Sequence, residues 1–157
     1  MTTTQIGKRC MTETVFVDTN VLVYRFDAGK RDKQKQAEAW LTRLWQNRSG
    51  RISYQVLREF YVTVTRKLGN QLDMRDARDA VVALFAWQPA MDSDRMLSLA
   101  WDVEDRWAIS WWDALIVAAA LEQSCSILLT EDLQDGQDFD GVRVVDPFTH
   151  APDDVLG

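Results

Sequence analysis

The sequence is poor in the side chains that most often move protons or capture transition metals. Histidine occurs once, as His150, and cysteine twice, as Cys10 and Cys125. One histidine and two distant cysteines cannot assemble a zinc site of nitrogen and sulfur ligands. Nor can they build a disulfide framework, and they leave little room for Ser-His or Cys-His catalysis. Cys125 lies in an apolar run and reads as a buried, inert thiol, which fits a reducing cytoplasm. Three prolines and seven glycines exclude Pro-rich and collagen-like chains. The longest unbroken apolar run, residues 114–121, is far short of the ~20 residues of a membrane span. No membrane role is therefore expected. Residues 1–14 hold no apolar stretch of signal-peptide length, and Met11 offers a second start codon. Any catalysis must fall to carboxylates.

What is present is an ordinary globular composition: 157 residues, 46% hydrophobic and 27% charged, a one-domain length. The net charge of −6 and pI of about 4.7 argue at first against a nucleic-acid partner. The average hides an asymmetry. Residues 1–78 carry 15 of the 18 Lys and Arg but 8 of the 24 Asp and Glu, so the first half is basic and the second strongly acidic. That split is compatible with solvated helix faces, or with a surface that meets a polyanion or a charged protein. Seven tryptophans are many for this length, with Trp101, Trp107, Trp111 and Trp112 close together. Core packing accounts for such residues, as does a protein interface.

Val15-Phe16-Val17-Asp18 reads as a buried strand ending in an acid. Thr19 and Asn20 are helix-start residues before Val21-Leu22-Val23-Tyr24. Ala37, Trp40, Leu41, Leu44 and Trp45 recur at helical spacing. Ile52 reads as a very short strand and Ser53 as the next N-cap. A helix with Leu57, Phe60, Tyr61, Val64 and Leu68 inward should stop at Gly69. Asp73 caps another helix, ended by Pro89. Asp92 and Ser93 open a further one, and Ser110 starts the most apolar helix, running to about Gln123. Ser126 to Thr130 and Val142 to Val145 are strands. A strand, several helices and two more strands give an α/β domain of three layers around a small, mostly parallel sheet.

In such a sheet, ligands bind beyond the carboxyl ends of the strands. Asp18 ends the first strand, Asp132 follows the Ser126–Thr130 strand, and Asp113 lies in the first turn of the apolar helix. Glu59 flanks a buried helical stripe, where an acid is costly unless satisfied. Each also has a plain structural reading. Asp18 can precede a helix cap, Asp113 can complete a capping box with Ser110, Asp132 can face a helix N-terminus, and Glu59 can pair with Arg58 or Thr63. Together they suggest more. Two carboxylates ~4 Å apart repel by roughly 4 kcal/mol at an effective dielectric near 20, so a cluster must protonate, splay or bind a cation. Hard oxygen ligands select Mg²⁺ or Mn²⁺ over zinc. An ion so held suits phosphodiester hydrolysis without histidine.

Five segments, VFVDTNVLVY at 15–24, ISYQVLREFY at 52–61, SWWDALIVAAA at 110–120, LLTEDLQDGQ at 128–137 and GVRVVDPF at 141–148, resemble the PIN-domain nucleases, most closely the VapC-type toxin ribonucleases of toxin–antitoxin pairs. The resemblance spans nearly the whole chain beyond Met11. It implies a PIN-like three-layer α/β/α sandwich over residues 13–150, a flexible extension at 1–12 and a tail at 151–157. It implies a Mg²⁺-dependent endoribonuclease, with Mn²⁺ as an alternative ion. Asp18, Glu59, Asp113 and Asp132 would be the catalytic and metal-binding acids, with Asn20 and Thr130 supporting them. Glu131 and Asp135 are alternates for the fourth acid. The implied partners are an RNA substrate, a second copy in a homodimer and a cognate antitoxin, in the cytoplasm. Lys30, Arg31, Lys33 and Lys35 form a basic patch available to RNA phosphates. The alternative is a non-catalytic PIN-like RNA-binding or assembly module. A haloacid-dehalogenase-type phosphatase is disfavoured, because the second acid it needs is Asn20 here and the last lysine is Lys67. An EF-hand in the acid-rich stretch also fails: with Gly141 at loop position 6, positions 1 and 12 would be Gly136 and Pro147.

Overall fold

The computed structural model describes residues 12–157. Cys10, Met11 and all of the expected 1–12 extension except Thr12 lie outside the described residues. The centre is a five-stranded sheet in the order β2-β1-β3-β5-β4, formed by β1 (Val15–Val17), β2 (Gly50–Arg51), β3 (Ile127–Leu129), β4 (Asp138–Phe139) and β5 (Val142–Val145). Pairings β1–β2, β1–β3 and β3–β5 are parallel, with Phe16 opposite Leu128 and Leu128 opposite Val144. Among the described residues, only β4–β5 is antiparallel. β1 and β3 are wholly apolar and fully buried, as parallel strands covered on both faces must be.

Among the described residues, seven α-helices flank this mostly parallel sheet: α1 (Thr19–Tyr24), α2 (Arg31–Asn47), α3 (Tyr54–Val62), α4 (Met74–Leu84), α5 (Asp94–Trp107), α6 (Trp111–Glu122) and α7 (Pro152–Leu156). α2 buries Ala37, Trp40, Leu41 and Leu44, one stripe of a 3.6-residue period. α6 is different, because every residue from Ala114 to Ala120 is buried. A helix apolar on all sides belongs inside the domain, and α5 packs along it.

Several boundaries differ from the sequence reading, for local reasons. The short strand is Gly50–Arg51, before Ile52; the Ile52 carbonyl instead accepts the Ala90 N–H. Gly50 is required there, since a Cβ would come within 2.6 Å of the Trp87 ring. The helix expected to run through Leu68 leaves α geometry at Thr63 and continues to Lys67 as a π-helix. The β-branched run Thr63-Val64-Thr65 crowds the preceding turn there. β4 was not anticipated. Phe139 pairs with Val142 across Asp140-Gly141, whose φ values of 51° and 97° match a type I′ hairpin turn. The 151–157 tail contains α7, whose Pro152 is buried. Of the tryptophans, Trp40 and Trp87 are buried, whereas Trp101 and Trp112 are more than half exposed.

Candidate catalytic and metal site

Because β1 and β3 are parallel neighbours, their carboxyl ends open on one edge of the sheet. Asp18 follows β1 directly and serves as N-cap of α1. Its Oδ1 accepts the Thr19 N–H at 2.7 Å and its Oδ2 accepts the Thr130 hydroxyl at 2.8 Å. Thr130, just past β3, is fully buried and its N–H donates to the Val145 carbonyl. The Thr130 Oγ1 also accepts the Asp132 N–H at 3.1 Å, so one hydroxyl ties the two acidic segments together.

Asn20 completes the tie. Its Nδ2 lies 3.0 Å from Asp132 Oδ2, 3.1 Å from Thr130 Oγ1 and 3.4 Å from Asp18 Oδ2. Its Oδ1 is buried and accepts no hydrogen bond among the described residues. Glu59 arrives from α3: its Oε2 accepts the Thr19 hydroxyl at 2.8 Å and its Oε1 accepts the Gln55 amide at 3.1 Å. Hence Asp18, Asn20, Glu59, Thr130 and Asp132 are connected through hydrogen bonds.

Asp113 stands apart from that network. The order of α6 and β3 places the start of α6 at the same edge, and Ser110 caps the helix by accepting the Asp113 N–H. The reciprocal half of the capping box is not made, and the Asp113 carboxylate accepts no hydrogen bond among the described residues. Of the alternates, Glu131 accepts the Lys33 ammonium at 2.5 Å. Asp135 pairs with His150 at 2.7 Å and accepts the Asp146 N–H.

Electrostatics single out Asp18. Its side chain is 6% exposed, and burial pushes its carboxyl up to about 7 against the bonds from Thr130 and Thr19, with Asp132 and Glu59 adding repulsion. No cationic side chain pairs with it among the described residues. In the expected basic patch, Lys30, Arg31 and Lys35 are exposed around the start of α2, while Lys33 is spent on Glu131.

No three His, Cys, Asp or Glu side chains among the described residues converge closely enough to hold a metal. Mg²⁺, however, is commonly held by one or two carboxylates and keeps several waters. Asp18 and Asp132 supply two carboxylates at one edge, their Oδ2 atoms 3.4 and 3.0 Å from a single Asn20 nitrogen. The Asn20 Oδ1 is buried without a partner, and the buried Asp18 lacks a counter-charge, among the described residues. The donor set fits a divalent cation.

Fold and site together define an α/β domain with a carboxylate centre at the ends of parallel strands. The chain belongs to the PIN-domain family, whose model matches residues 15–140. A search of curated proteins finds no match. Among solved structures, a toxin–antitoxin complex from Klebsiella pneumoniae is similar, with a TM-score of 0.60 at 20% identity over 85% of this chain and 98% of that one. VapC20 of Mycobacterium tuberculosis, a toxin that cleaves the sarcin–ricin loop, gives 0.54 at 20% identity over 73% and 87%. VapBC2 of Rickettsia felis, bound to a promoter DNA fragment, gives 0.53 at 15% identity over 83% and 96%. At these identities the likeness establishes a shared fold.

Proposed function

We propose that this chain is a divalent-cation-dependent endoribonuclease acting as the toxin of a toxin–antitoxin pair. The observation that carries the reading is Asp18: a buried carboxylate with no cationic partner, tied through Thr130 and Asn20 to a second acid at the carboxyl edge of a PIN domain. Solved structures of the same fold include a toxin that cleaves the sarcin–ricin loop and toxin–antitoxin complexes. RNA as substrate, Mg²⁺ or Mn²⁺ as ion, a homodimer, an antitoxin partner and a cytoplasmic location all belong to this proposal.

When bound, the cation would supply a more acidic water and neutralise charge on the phosphate. Asp18 and Asp132 would hold it, with Asn20 Nδ2 bonded to both acids. The rest is done by the chain. Thr19 N–H and the Thr130 hydroxyl fix both Asp18 oxygens, so the carboxylate needs no reorganisation on binding. Asn20 keeps Asp132 turned toward Asp18. Glu59, held by Thr19 and Gln55, stands at the rim as an acceptor for a water proton. Asp113, on the first turn of α6, would add a fourth acid from the helix side of the same edge.

A non-catalytic PIN-like RNA-binding or assembly module is the second reading. It is favoured by one observation: no three acids gather to metal-holding distance among the described residues. Incubating the purified protein with RNA in Mg²⁺ and in EDTA, beside Asp18→Asn, separates the two. Cleavage by wild type in Mg²⁺ alone supports the nuclease. RNA binding without cleavage under every condition supports the module.

A further inference from the structure

Lys33 has no part in the chemistry just described, yet it is the best-anchored lysine near the acidic edge. It is the third residue of α2. Its ammonium donates to Glu131 Oε2 at 2.5 Å and lies 3.3 Å from the Tyr24 hydroxyl. It sits 4.6 Å from the centre of the Tyr24 ring and 4.9 Å from that of Phe148. Those rings meet edge to face at 4.9 Å. Lys33 therefore joins the end of α1, the start of α2, the turn after β3 and the turn after β5. The pair is half-buried, with side-chain exposures of 35% and 22%, and two aromatic rings frame the ammonium. Such a pair is stronger than a solvated surface contact.

Glu131 lies between Thr130 and Asp132. Asp132 is exposed, and its own ties are its N–H to Thr130 Oγ1 and its Oδ2 from Asn20. We propose that Lys33 is a positioning residue that clamps Glu131 and so holds the 130–132 turn with Asp132 facing Asp18. The role in metal binding rests on the nuclease reading above; the clamp itself does not. It replaces two roles suggested by sequence. Lys33 is then a clamp rather than an RNA-phosphate contact, because its ammonium is engaged by Glu131 and the Tyr24 hydroxyl. Glu131 is not a fourth metal ligand, because its carboxylate is engaged by Lys33.

The test compares wild type with Lys33→Met, Lys33→Arg, Glu131→Gln and the Lys33→Met/Glu131→Gln double variant. In metal-free protein, amide hydrogen exchange at residues 130–133 should rise at least severalfold in Lys33→Met and Glu131→Gln, and stay near wild type in Lys33→Arg. Calorimetric Mn²⁺ affinity should fall about tenfold in both single variants, the usual cost of losing an outer-shell partner. The double variant should be no worse than either single one. Unchanged exchange in both single variants overturns the clamp. So does a raised KM for RNA with a flatter salt dependence and unchanged Mn²⁺ affinity in Lys33→Met, which would make Lys33 a phosphate contact. A far larger affinity loss in Glu131→Gln than in Lys33→Met would make Glu131 a ligand and also overturns it. If wild type and Asp18→Asn bind Mn²⁺ equally, the metal reading fails, and the exchange data still decide the clamp.

Discussion

The acidic edge is held tightly on its strand side and loosely on its helix side. Asp18 and Asp132 follow neighbouring parallel strands, and Thr130 and Asn20 bind both. Glu59 and Asp113 project from α3 and α6; one reaches the network through Thr19 and the other stands outside it. Adjacent strands fix their ends through the ladder itself, so a side chain just past a strand inherits the precision of the sheet. A helix delivers an acid through its own rigid-body position and a flexible side chain. The strand side is thus prearranged, and under the proposed function the helix side is the part a bound cation would draw in.

The largest effect should come from the strand side. Asp18→Asn should lower RNA cleavage on the order of a thousandfold or more in a single-turnover assay. Retained activity would remove Asp18 from the chemistry. Asp113→Asn sharpens the contrast. Activity should fall strongly, yet unfolding free energy should shift by less than about 0.5 kcal/mol, because the carboxylate makes no bond that holds the fold. A large loss of stability would show that Asp113 is a structural cap after all.

The two sides should also differ in their cost to the fold. At pH 8, metal-free Asp18→Asn should be more stable than wild type by about 2 kcal/mol in chemical denaturation, since a buried carboxylate without a counter-charge is unfavourable. The folded carboxyl titrates near 7 against 3.8 for the free group, so the folded state holds the extra proton between those values. Stability falls as pH rises through that window, and the advantage of Asp18→Asn should shrink on going down to pH 5. A constant gap across this range would refute the buried-charge account.

Much of this was legible in the sequence, and what was missed has local causes. The strands at 15–17 and 127–129 announce themselves as short β-branched and aliphatic runs. The helix over 111–122 contains the longest apolar run, residues 114–121. Asp18 and Asp132 could be placed because strand ends are easy to locate and parallel order then brings them together. The bonds of Asn20 and Thr130 to both acids followed from no periodicity; the family resemblance alone pointed to those residues. β4 was hidden because two residues give no alternation to read. Its one usable signal was Asp140-Gly141, a hairpin dipeptide with Phe139 before it and Val142 after it. The π-helical segment was unforeseen because an α pattern and a π pattern share their first turn. The Lys33–Glu131 pair could not be read from the sequence, because the two partners lie 98 residues apart.

The smallest effect concerns the far end of the same edge. The bonds from His150 and the Asp146 N–H hold the Asp135 carboxyl below its usual range. A depressed carboxyl contributes stability above its unfolded pKa and loses it as pH falls through the folded value. Asp135→Asn should therefore be slightly less stable than wild type at neutral pH, with the difference vanishing in acid. A difference that persists in acid would mean the pair does not hold the turn before α7.

The central claim is that Asp18 and its neighbours form a prearranged seat for a divalent cation. Thermal unfolding of wild type and Asp18→Asn, each with and without Mg²⁺ and Mn²⁺, addresses it most directly, because a ligand that binds only the folded state must raise its melting temperature. The expected result is a rise in wild type that saturates with cation and is absent in Asp18→Asn. No cation-dependent rise in wild type, or an equal rise in both proteins, would contradict the account.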